Sequence, residues 1–173
     1  AAAAVIAAIK YTVGKSAYGY SGLGDLFVFL FFGMVSVVGA YFLQSGTINT
    51  DALYFAFSIG FLSVGVLNLN NMRDITNDRN SQKNTLVVKM GSQKAKNYHY
   101  FLILTSAVGL FLGVGLDYVM TNLFYFLIFL PLFFHLFKVW KIKEPVAFDP
   151  LLKQLALTTF FISLFLFLIF SLN

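Results

Sequence analysis

The sequence predicts an all-α protein, a polytopic transmembrane helix bundle that forms a single membrane domain over residues 1–173. Hydrophobic residues make up 59% of the chain and charged residues only 11%, whereas a soluble domain carries about 25% charged residues. Apolar runs of nearly the length that a helix needs to cross a bilayer recur along the chain. None of them alternates polar and apolar residues as barrel strands do, so helices are the structure that satisfies their backbone hydrogen bonds.

Five apolar blocks predict five full spanning helices. They cover residues 25–43, 52–69, 98–116, 118–137 and 151–172. Pro131 lies inside the fourth block and predicts a kink, which membrane helices tolerate. Residues 1–9 are apolar but too short to span, so we interpret them as the end of an earlier helix. The chain is therefore expected to be the C-terminal part of a longer protein.

The basic residues predict how these helices are oriented. The twelve Lys and Arg residues fall before the first block, between the second and third, or around the connection from the fourth to the fifth. In chain order they are Lys10, Lys15, Arg73, Arg79, Lys83, Lys89, Lys94, Lys96, Lys138, Lys141, Lys143 and Lys153. With five spans all of them lie on one side of the membrane, which the positive-inside rule makes cytoplasmic. The sequence thus predicts a multi-pass protein of the inner or plasma membrane, with a cytoplasmic motif loop at about residues 70–97.

Composition argues against several other kinds of site. The chain has no cysteine, which removes disulfides, thiolate metal sites and cysteine nucleophiles from consideration. His99 and His135 stand in no zinc-ligand pattern, so each is expected to pack at a helix end. The formal net charge of +5 follows from Lys and Arg beside the membrane and predicts no nucleic-acid partner.

A charged stretch follows the second apolar block, NNMRDITNDRNSQKNTLVVKMG, residues 70–91. Asn70, Asp74 and Asp78 are spaced i, i+4 and i+8, so they share one face if the second helix continues past Leu69. Two carboxylates one turn apart repel each other unless a cation or a basic partner lies between them. Mg²⁺ binds proteins through one or two carboxylates together with substrate phosphates. The spacing therefore indicates a site for Mg²⁺ and a diphosphate.

Arg73, Arg79 and Lys83 lie close to these carboxylates in sequence and are candidate ligands of the diphosphate. Arg offers phosphate a planar bidentate fork, and Lys offers a mobile point charge. The alternative is a solvated loop whose acids and bases pair with one another, because surface ion pairs of about 0–1 kcal/mol require no particular spacing. Asn68 and Asn71 favour the functional interpretation, since polar residues that adjoin a spanning helix are costly to bury.

A second group of polar residues precedes the first apolar block, in YTVGKSAYGYSGLGD, residues 11–25. Tyr11 and Lys15 are spaced i and i+4 at a predicted cytoplasmic helix end. Lys15 is a candidate second cation facing the diphosphate, and Tyr11 is a candidate donor or aromatic wall. The residues alone favour the alternative, an interfacial Tyr beside a Lys that extends to the membrane surface.

The two stretches together resemble a known family. The run at residues 70–91 resembles the second Asp-rich region of the UbiA superfamily of intramembrane aromatic prenyltransferases. With YTVGKSAYGYSGLGDLFVFLFFG, residues 11–33, it looks like the branch of that superfamily that prenylates 1,4-dihydroxy-2-naphthoate. The resemblance covers residues from about 11 to 100, and it is specific because two separate signatures occur in the right order.

The resemblance implies a nine-helix bundle with a central cavity, a cytoplasmic cap and Mg²⁺-dependent ionisation of a polyprenyl diphosphate. Asp74 and Asp78 match the second DxxxD motif of the superfamily and would bind the metal. Tyr11 and Lys15 match its YxxxK region and would be catalytic together with the two aspartates. The residues that would contact or support the diphosphate are Asn70, Arg73, Arg79 and Lys83.

The implied reaction joins the polyprenyl group to 1,4-dihydroxy-2-naphthoate with loss of CO₂ and pyrophosphate, which gives demethylmenaquinol or demethylmenaquinone in menaquinone biosynthesis. Other acceptors used in the superfamily, 4-hydroxybenzoate and haem, stay open. A cation transporter or channel subunit is the alternative from another class, but its site is expected near the bilayer midplane on broken helices. Under each of these interpretations the lipid bilayer surrounds the helices.

The sequence departs from the family pattern in two places. The first Asp-rich motif, which the family places on an earlier helix, does not occur in these 173 residues. The chain is therefore expected to contain one half of a two-motif site. Gln82 stands where the pattern has a Gly before Lys83, which leaves open the turn that presents Lys83.

Overall fold

The computed structural model describes residues 22–115, 119 and 123–172. Among these residues every regular element is helical, and five helices are long and apolar enough to cross a membrane, which confirms the predicted all-α class. The spanning helices are α1 (Gly24–Ser45), α2 (Thr50–Arg73), α5 (Ser92–Val114), α6 (Phe129–Lys141) with the turn before it, and α7 (Asp149–Leu172). Two short helices, α3 (Ile75–Asn80) and α4 (Leu86–Met90), connect α2 to α5.

The first spanning helix, α1, changes its helix type along its length. Its centre, Phe29–Val38, is a π-helix, flanked by α-helical Gly24–Val28 and Gly39–Ser45. Backbone bonds of a π-helix run from i to i+5, and the Ser36 hydroxyl follows this spacing by donating to the Phe31 carbonyl at 2.6 Å. Hydropathy predicts a spanning helix here, but it contains no information on the helix type.

Two glycines allow α1 and α2 to cross in close contact. A Cβ atom on Gly33 would lie 2.6 Å from both the carbonyl oxygen of Ala56 and the Cα of Gly60. Small residues at a helix crossing let two backbones approach closely in a membrane, where lipid tails are as apolar as the side chains. Any larger residue at position 33 would therefore move α1 away from α2.

The second spanning helix, α2, is the most buried of the five. Half of its most apolar stretch is buried inside the protein, whereas only 6% of the corresponding stretch of α1 is buried. The helix begins at an N-cap in which Asn49 Oδ1 accepts from the Ala52 amide at 2.8 Å. It continues past the predicted end at residue 69 and reaches Arg73. Hydropathy alone ends the helix too early, because most residues after Leu69 are polar.

Buried polar contacts join α2 to α5. The Ser58 hydroxyl donates to the Ser106 carbonyl at 3.0 Å, and Asn68 Nδ2 donates to the Ala95 carbonyl at 3.1 Å. Such bonds between helices contribute about 0.6–2 kcal/mol in a membrane. They fix the position of α5 along α2, and therefore the position of the polar segment that joins the two helices.

The segment between α2 and α5 is largely helical, where the sequence predicts a motif loop over about residues 70–97. The short helix α4 is capped by Thr85, whose Oγ1 accepts from the Val88 amide at 3.2 Å. The long helix α5 begins at Ser92 rather than at the predicted residue 98. Hydropathy missed its first turns because they contain polar helix formers such as Lys94 and Lys96.

The fourth span begins as a 3₁₀-helix, Leu123–Ile128, and becomes α-helical at Phe129. Pro131 lies in the first turn of α6, and its missing amide would have bonded to residue 127 in the 3₁₀ segment. The kink predicted at Pro131 stays a prediction, and the helix type changes two residues before it. Residues around the predicted start at 118 lie outside the described part of the chain, except for residue 119.

Side chains join α6 to the helices on either side. Nε2 of His99 on α5 lies 2.9 Å from Nε2 of His135 on α6, and both rings are fully buried. At this distance one imidazole donates and the other accepts. Lys138 Nζ donates to Gln154 Oε1 on α7 at 3.1 Å. The prediction that each packs at a helix end is wrong, because His99 lies two turns inside α5 and His135 lies at the centre of α6. Their pairing was not predicted.

Candidate functional site

The candidate site lies where α2 ends. The Asp74 amide donates to the Asn70 carbonyl at 3.0 Å, and the Asp78 amide donates to the Asp74 carbonyl at 2.8 Å. Helical turns thus continue from α2 into α3, although Asp74 departs from ideal helical angles with φ −95° and ψ 8°. The three residues follow one another at one-turn intervals, as their spacing predicts.

Arg73 contacts both carboxylate oxygens of Asp74, the first of the two aspartates. Its Nε and Nη2 donate to Oδ1 and Oδ2 of Asp74 at 2.9 and 2.8 Å, which is a bidentate pair. The same Nη2 donates to Asn70 Oδ1 at 2.8 Å, and Nη1 donates to Asp149 Oδ1 at 2.7 Å. Because Asp149 is the first residue of α7, one guanidinium joins the end of α2 to the start of the last spanning helix.

This contact also determines the protonation of Asp74. The hydrogen bond from Arg73 lowers the pKa of Asp74 below its ordinary value, and the charges of Arg73 and Lys83 act in the same direction. Partial burial opposes the shift but is the smaller effect than the hydrogen bond. Asp74 is therefore a charged carboxylate at neutral pH.

The second aspartate has a different environment. Asp78 is buried, and its Oδ1 accepts from Lys83 Nζ at 3.2 Å. Its Oδ2 is also buried and has no hydrogen-bond partner among the residues that the structure describes. Buried polar atoms are nearly always hydrogen-bonded. The bare oxygen of Asp78 is therefore the clearest indication in this cluster of a ligand.

A tight turn brings Lys83 back to Asp78. The Lys83 amide donates to the Asp78 carbonyl at 2.8 Å, and Gln82 has a φ of 56°. Glycine adopts this left-handed region at little cost, whereas other residues do so uncommonly. The position where the family pattern has a Gly thus retains a glycine-like backbone in this chain, although its residue is Gln.

Three predicted site residues do not appear in this cluster of contacts. Arg79 is exposed and takes part in none of the ion pairs recorded between described residues. Tyr11 and Lys15 lie outside the described residues. Their roles toward a diphosphate stay predictions.

The oxygens of the cluster suit a hard divalent cation. Asp78 offers a buried unpartnered oxygen, and Asp74 and Asn70 offer carboxylate and amide oxygens on the preceding turns. Among the described residues, no group of three or more His, Cys, Asp or Glu side chains is arranged to hold a metal. Mg²⁺ does not need such a group, because it keeps several waters and binds one or two carboxylates together with substrate phosphates. The residues therefore fit Mg²⁺ that arrives with a diphosphate.

An apolar cavity of about 420 Å³ adjoins the cluster. Helices α1, α2 and α7 all contribute to its wall, and Asn70 is the lining residue of α2 that belongs to the aspartate cluster. The other lining residues are Val28, Phe32, Ser63, Val66, Leu67, Leu152, Ala156 and Thr159. Cavities of about 300–1,000 Å³ with mostly apolar walls are typical of ligand sites. A ligand with a charged head beside Asn70 would have room for an apolar tail between the helices.

A second pocket, which is polar and lies beside Lys83, was not predicted. Asp25, at the start of α1, lines it together with Asn71, Lys83 and Thr85, and its volume of about 10 Å³ is about that needed for one water molecule. Tyr98 on α5 is a neighbour of the Asp25 carboxylate. The sequence GLGD places an acidic residue at the start of a membrane helix, and such a residue is a candidate functional residue by default. Its partners, however, are on other helices and no spacing connects them.

A bundle of spanning helices with paired carboxylates at one helix end, beside an apolar cavity, has the architecture of an intramembrane enzyme for amphiphilic substrates. The UbiA prenyltransferase family matches residues 1–165. The chain belongs to this family.

The chain is similar to two proteins named 1,4-dihydroxy-2-naphthoate octaprenyltransferase. The one from Haemophilus influenzae is 39% identical over 172 residues, which are 98% of this chain and 54% of that protein. The one from Escherichia coli is 49% identical over 104 residues, which are 60% of this chain and 34% of that protein.

A more distant relative is the UbiA prenyltransferase domain-containing protein 1 homolog of Drosophila melanogaster, which is 30% identical over 148 residues, 86% of this chain and 40% of that protein. No solved structure gives a significant match. The chain spans about half the length of the Haemophilus protein, at 54%, so the activity of a whole protein of this kind is a proposal for it.

Proposed function

We propose that the protein containing this chain transfers a polyprenyl group from a polyprenyl diphosphate to 1,4-dihydroxy-2-naphthoate, with Mg²⁺, in menaquinone biosynthesis. Family membership supports prenyl transfer, and the names of the two octaprenyltransferases support the acceptor. The main support from the structure is that Asn70 both contacts Arg73 in the aspartate cluster and lines the apolar cavity. A polyprenyl diphosphate needs these two environments next to each other.

The cluster and the cavity would act on different parts of the donor. Mg²⁺, when bound, neutralises charge that develops on the departing diphosphate. Asp74 and Asp78 would hold this ion, and Lys83 would face the diphosphate from its position beside Asp78. The C–O bond to the allylic carbon breaks, and its electron pair leaves with pyrophosphate. The apolar wall excludes water, which protects the allylic cation from hydrolysis.

The acceptor supplies the electron pair for the new bond. The ring carbon that carries the carboxylate attacks the allylic cation, and the carboxylate leaves as CO₂ while its bonding electrons restore the aromatic ring. Aromatic faces such as that of Phe32 in the cavity wall stabilise a nearby cation. The product of this step is demethylmenaquinol, and a separate two-electron oxidant would be needed to convert it to demethylmenaquinone.

The cluster is proposed to face the cytoplasm from the inner or plasma membrane. The basic residues of the described chain lie in two segments, one from the end of α2 to the start of α5 and one from the last turn of α6 to the first turns of α7. Short loops rich in Lys and Arg stay on the cytoplasmic side of a membrane. The carboxylates near these residues would then meet water-soluble Mg²⁺ from that side.

Membranes that contain the full-length protein test the proposal when supplied with Mg²⁺, a labelled polyprenyl diphosphate and 1,4-dihydroxy-2-naphthoate. We expect prenylated naphthoquinol and CO₂, and we expect neither from Asp74→Asn or Asp78→Asn. Asp51→Asn is the matched control, because Asp51 is an exposed carboxylate at the opposite end of α2. Product formed only from 4-hydroxybenzoate would show that the acceptor is wrong. Product formed by both aspartate variants would favour the solvated-loop interpretation.

A further inference from the structure

Arg73 bonds through all three of its guanidinium nitrogens within the candidate site. Nε and Nη2 bond to the two oxygens of Asp74, Nη2 also bonds to Asn70, and Nη1 bonds to Asp149, all at 2.7–2.9 Å. The planar fork of Arg matches a carboxylate in this bidentate way, which a Lys ammonium does not. In this arrangement the guanidinium of Arg73 already neutralises the charge of Asp74.

A divalent cation at Asp74 would compete with Arg73 for the same two oxygens. Two cationic groups on one carboxylate repel each other, so binding of the metal favours a shift of Arg73 away from Asp74. Asp78 differs, because Lys83 bonds to its Oδ1 while its Oδ2 has no partner in the described part of the chain. A metal at Oδ2 would therefore not compete with Lys83 for the same oxygen. The two halves of the DxxxD motif therefore differ in what must move before a metal binds.

Asp149 is a second carboxylate with which Arg73 can pair when it leaves Asp74. It lies 76 positions further along the chain, on α7, and accepts from Nη1 of Arg73 at 2.7 Å. Its side chain is 64% exposed, so water has access to this pair and the pair can rearrange at low cost. The same helix supplies Leu152, Ala156 and Thr159 to the cavity wall.

We propose that Arg73 is an exchangeable counter-ion of Asp74, and that Asp149 is a positioning residue that draws Arg73 away when a divalent cation binds. Asp149 thereby strengthens metal binding without touching the metal or the substrate. The inference rests on the proposed function for the identity of the ion as Mg²⁺. The simpler alternative is a static surface ion pair, which contributes about 0–1 kcal/mol to stability and nothing to metal binding.

Titration of the full-length protein in lipid nanodiscs with Mn²⁺, followed by electron paramagnetic resonance, tests this proposal. Mn²⁺ serves as the probe for Mg²⁺, alone and with inorganic pyrophosphate, in the absence of any prenyl substrate. We expect Asp149→Asn to weaken Mn²⁺ binding about 3–10-fold, because Arg73 then has Asp74 as its one carboxylate partner. Arg73→Gln is expected to strengthen Mn²⁺ binding in the absence of pyrophosphate, because the competitor is gone.

The double variant distinguishes a relay through Arg73 from a general effect of charge. Once Arg73→Gln is present, adding Asp149→Asn is expected to change Mn²⁺ binding by less than about 2-fold. Glu144→Gln is the matched control, since it removes one negative charge from the connection before α7, and Glu144 forms none of the ion pairs recorded among the described residues.

Several outcomes would overturn the proposal. These are an Asp149→Asn effect no larger than that of Glu144→Gln, an Asp149→Asn effect that persists in Arg73→Gln, and a wild-type protein that binds no Mn²⁺ under either condition. Failure of the proposed function would look different. It would give the expected coupling in Mn²⁺ binding, together with no transfer of a prenyl group to 1,4-dihydroxy-2-naphthoate.

Discussion

Asp74 and Asp78 are one helical turn apart, yet their environments are opposite. Asp74 has a side chain that is 31% exposed, and both its oxygens accept from Arg73. Asp78 has a side chain that is 9% exposed, and one of its oxygens has no partner among the described residues. A buried oxygen without a hydrogen bond is costly. The comparison teaches that a repeated carboxylate motif can contain one ligand that awaits a cation and one that must first release a basic side chain.

The largest expected effect is on metal binding by the two aspartate variants. Asp78→Asn removes the free oxygen and is expected to weaken Mn²⁺ binding at least about 100-fold, since even residues that only support a ligand cost about 10–100-fold. Asp74→Asn is expected to cost less, because part of the affinity at Asp74 is already lost to Arg73. Electron paramagnetic resonance on the full-length protein measures both, with Asp51→Asn as the control. The reverse order would show that Arg73 does not compete with the metal at Asp74.

The partner of Asp78 can be removed instead of the aspartate. Lys83→Met keeps much of the volume but takes the positive charge from a buried carboxylate, so we expect the free energy of unfolding to fall by about 1–3 kcal/mol. The loss should stay below the value for a fully buried pair, because the Lys83 side chain is 26% exposed. Thermal unfolding in nanodiscs checks this against Lys153→Met, which changes an exposed Lys on α7. Equal shifts in the two variants would contradict it.

The lowered pKa of Asp74 predicts a limited pH range for its contribution. A carboxyl group whose pKa is lower in the folded state adds stability above its ordinary pKa of about 4 and loses that contribution as the pH falls through the folded value. The difference in unfolding temperature between wild type and Asp74→Asn should therefore be constant from about pH 7 to 5 and should shrink below about pH 4. A difference that closes above pH 5 would show that Arg73 does not stabilise the charged form.

The smallest expected effect concerns the turn that presents Lys83. Gln82→Gly should raise the free energy of unfolding by about 0.5 kcal/mol, because relief of the left-handed backbone at φ 56° outweighs the added entropy of the unfolded chain. Ser81→Gly is the control, since Ser81 has a φ of −86° and only the entropic loss applies there. Unfolding measurements in which both glycines act alike would exclude strain at Gln82.

The local part of the site could be predicted from the sequence, and the long-range part could not. Asn70, Asp74 and Asp78 lie on consecutive turns of helix, so their spacing alone places them in order. The contact of Arg73 with Asp149 joins positions 76 residues apart. No periodicity connects such positions, because the contact exists only once α2 and α7 have packed together.

The same limit applies to the fold. The five spans could be predicted because bilayer thickness fixes the length of an apolar helix, whereas the polar first turns of α5 have no such signal. The pairing of His99 with His135 depends on the packing of α5 against α6. Gln82 was recognised as a departure from the family pattern, but its left-handed backbone follows from the turn that Asp78 and Lys83 close around it.

Because the centre of α1 is π-helical, the number of residues in this segment affects which side chains of α1 line the cavity. Val28 lies just before the π-helical segment Phe29–Val38 and Phe32 lies inside it, and both line the cavity. A π turn holds more residues than an α turn. Deleting one residue within the segment would rotate the preceding residues, Asp25 among them, by roughly 100° about the helix axis. The shape of the cavity beside α1 is thus more sensitive to a single deletion than to a conservative substitution.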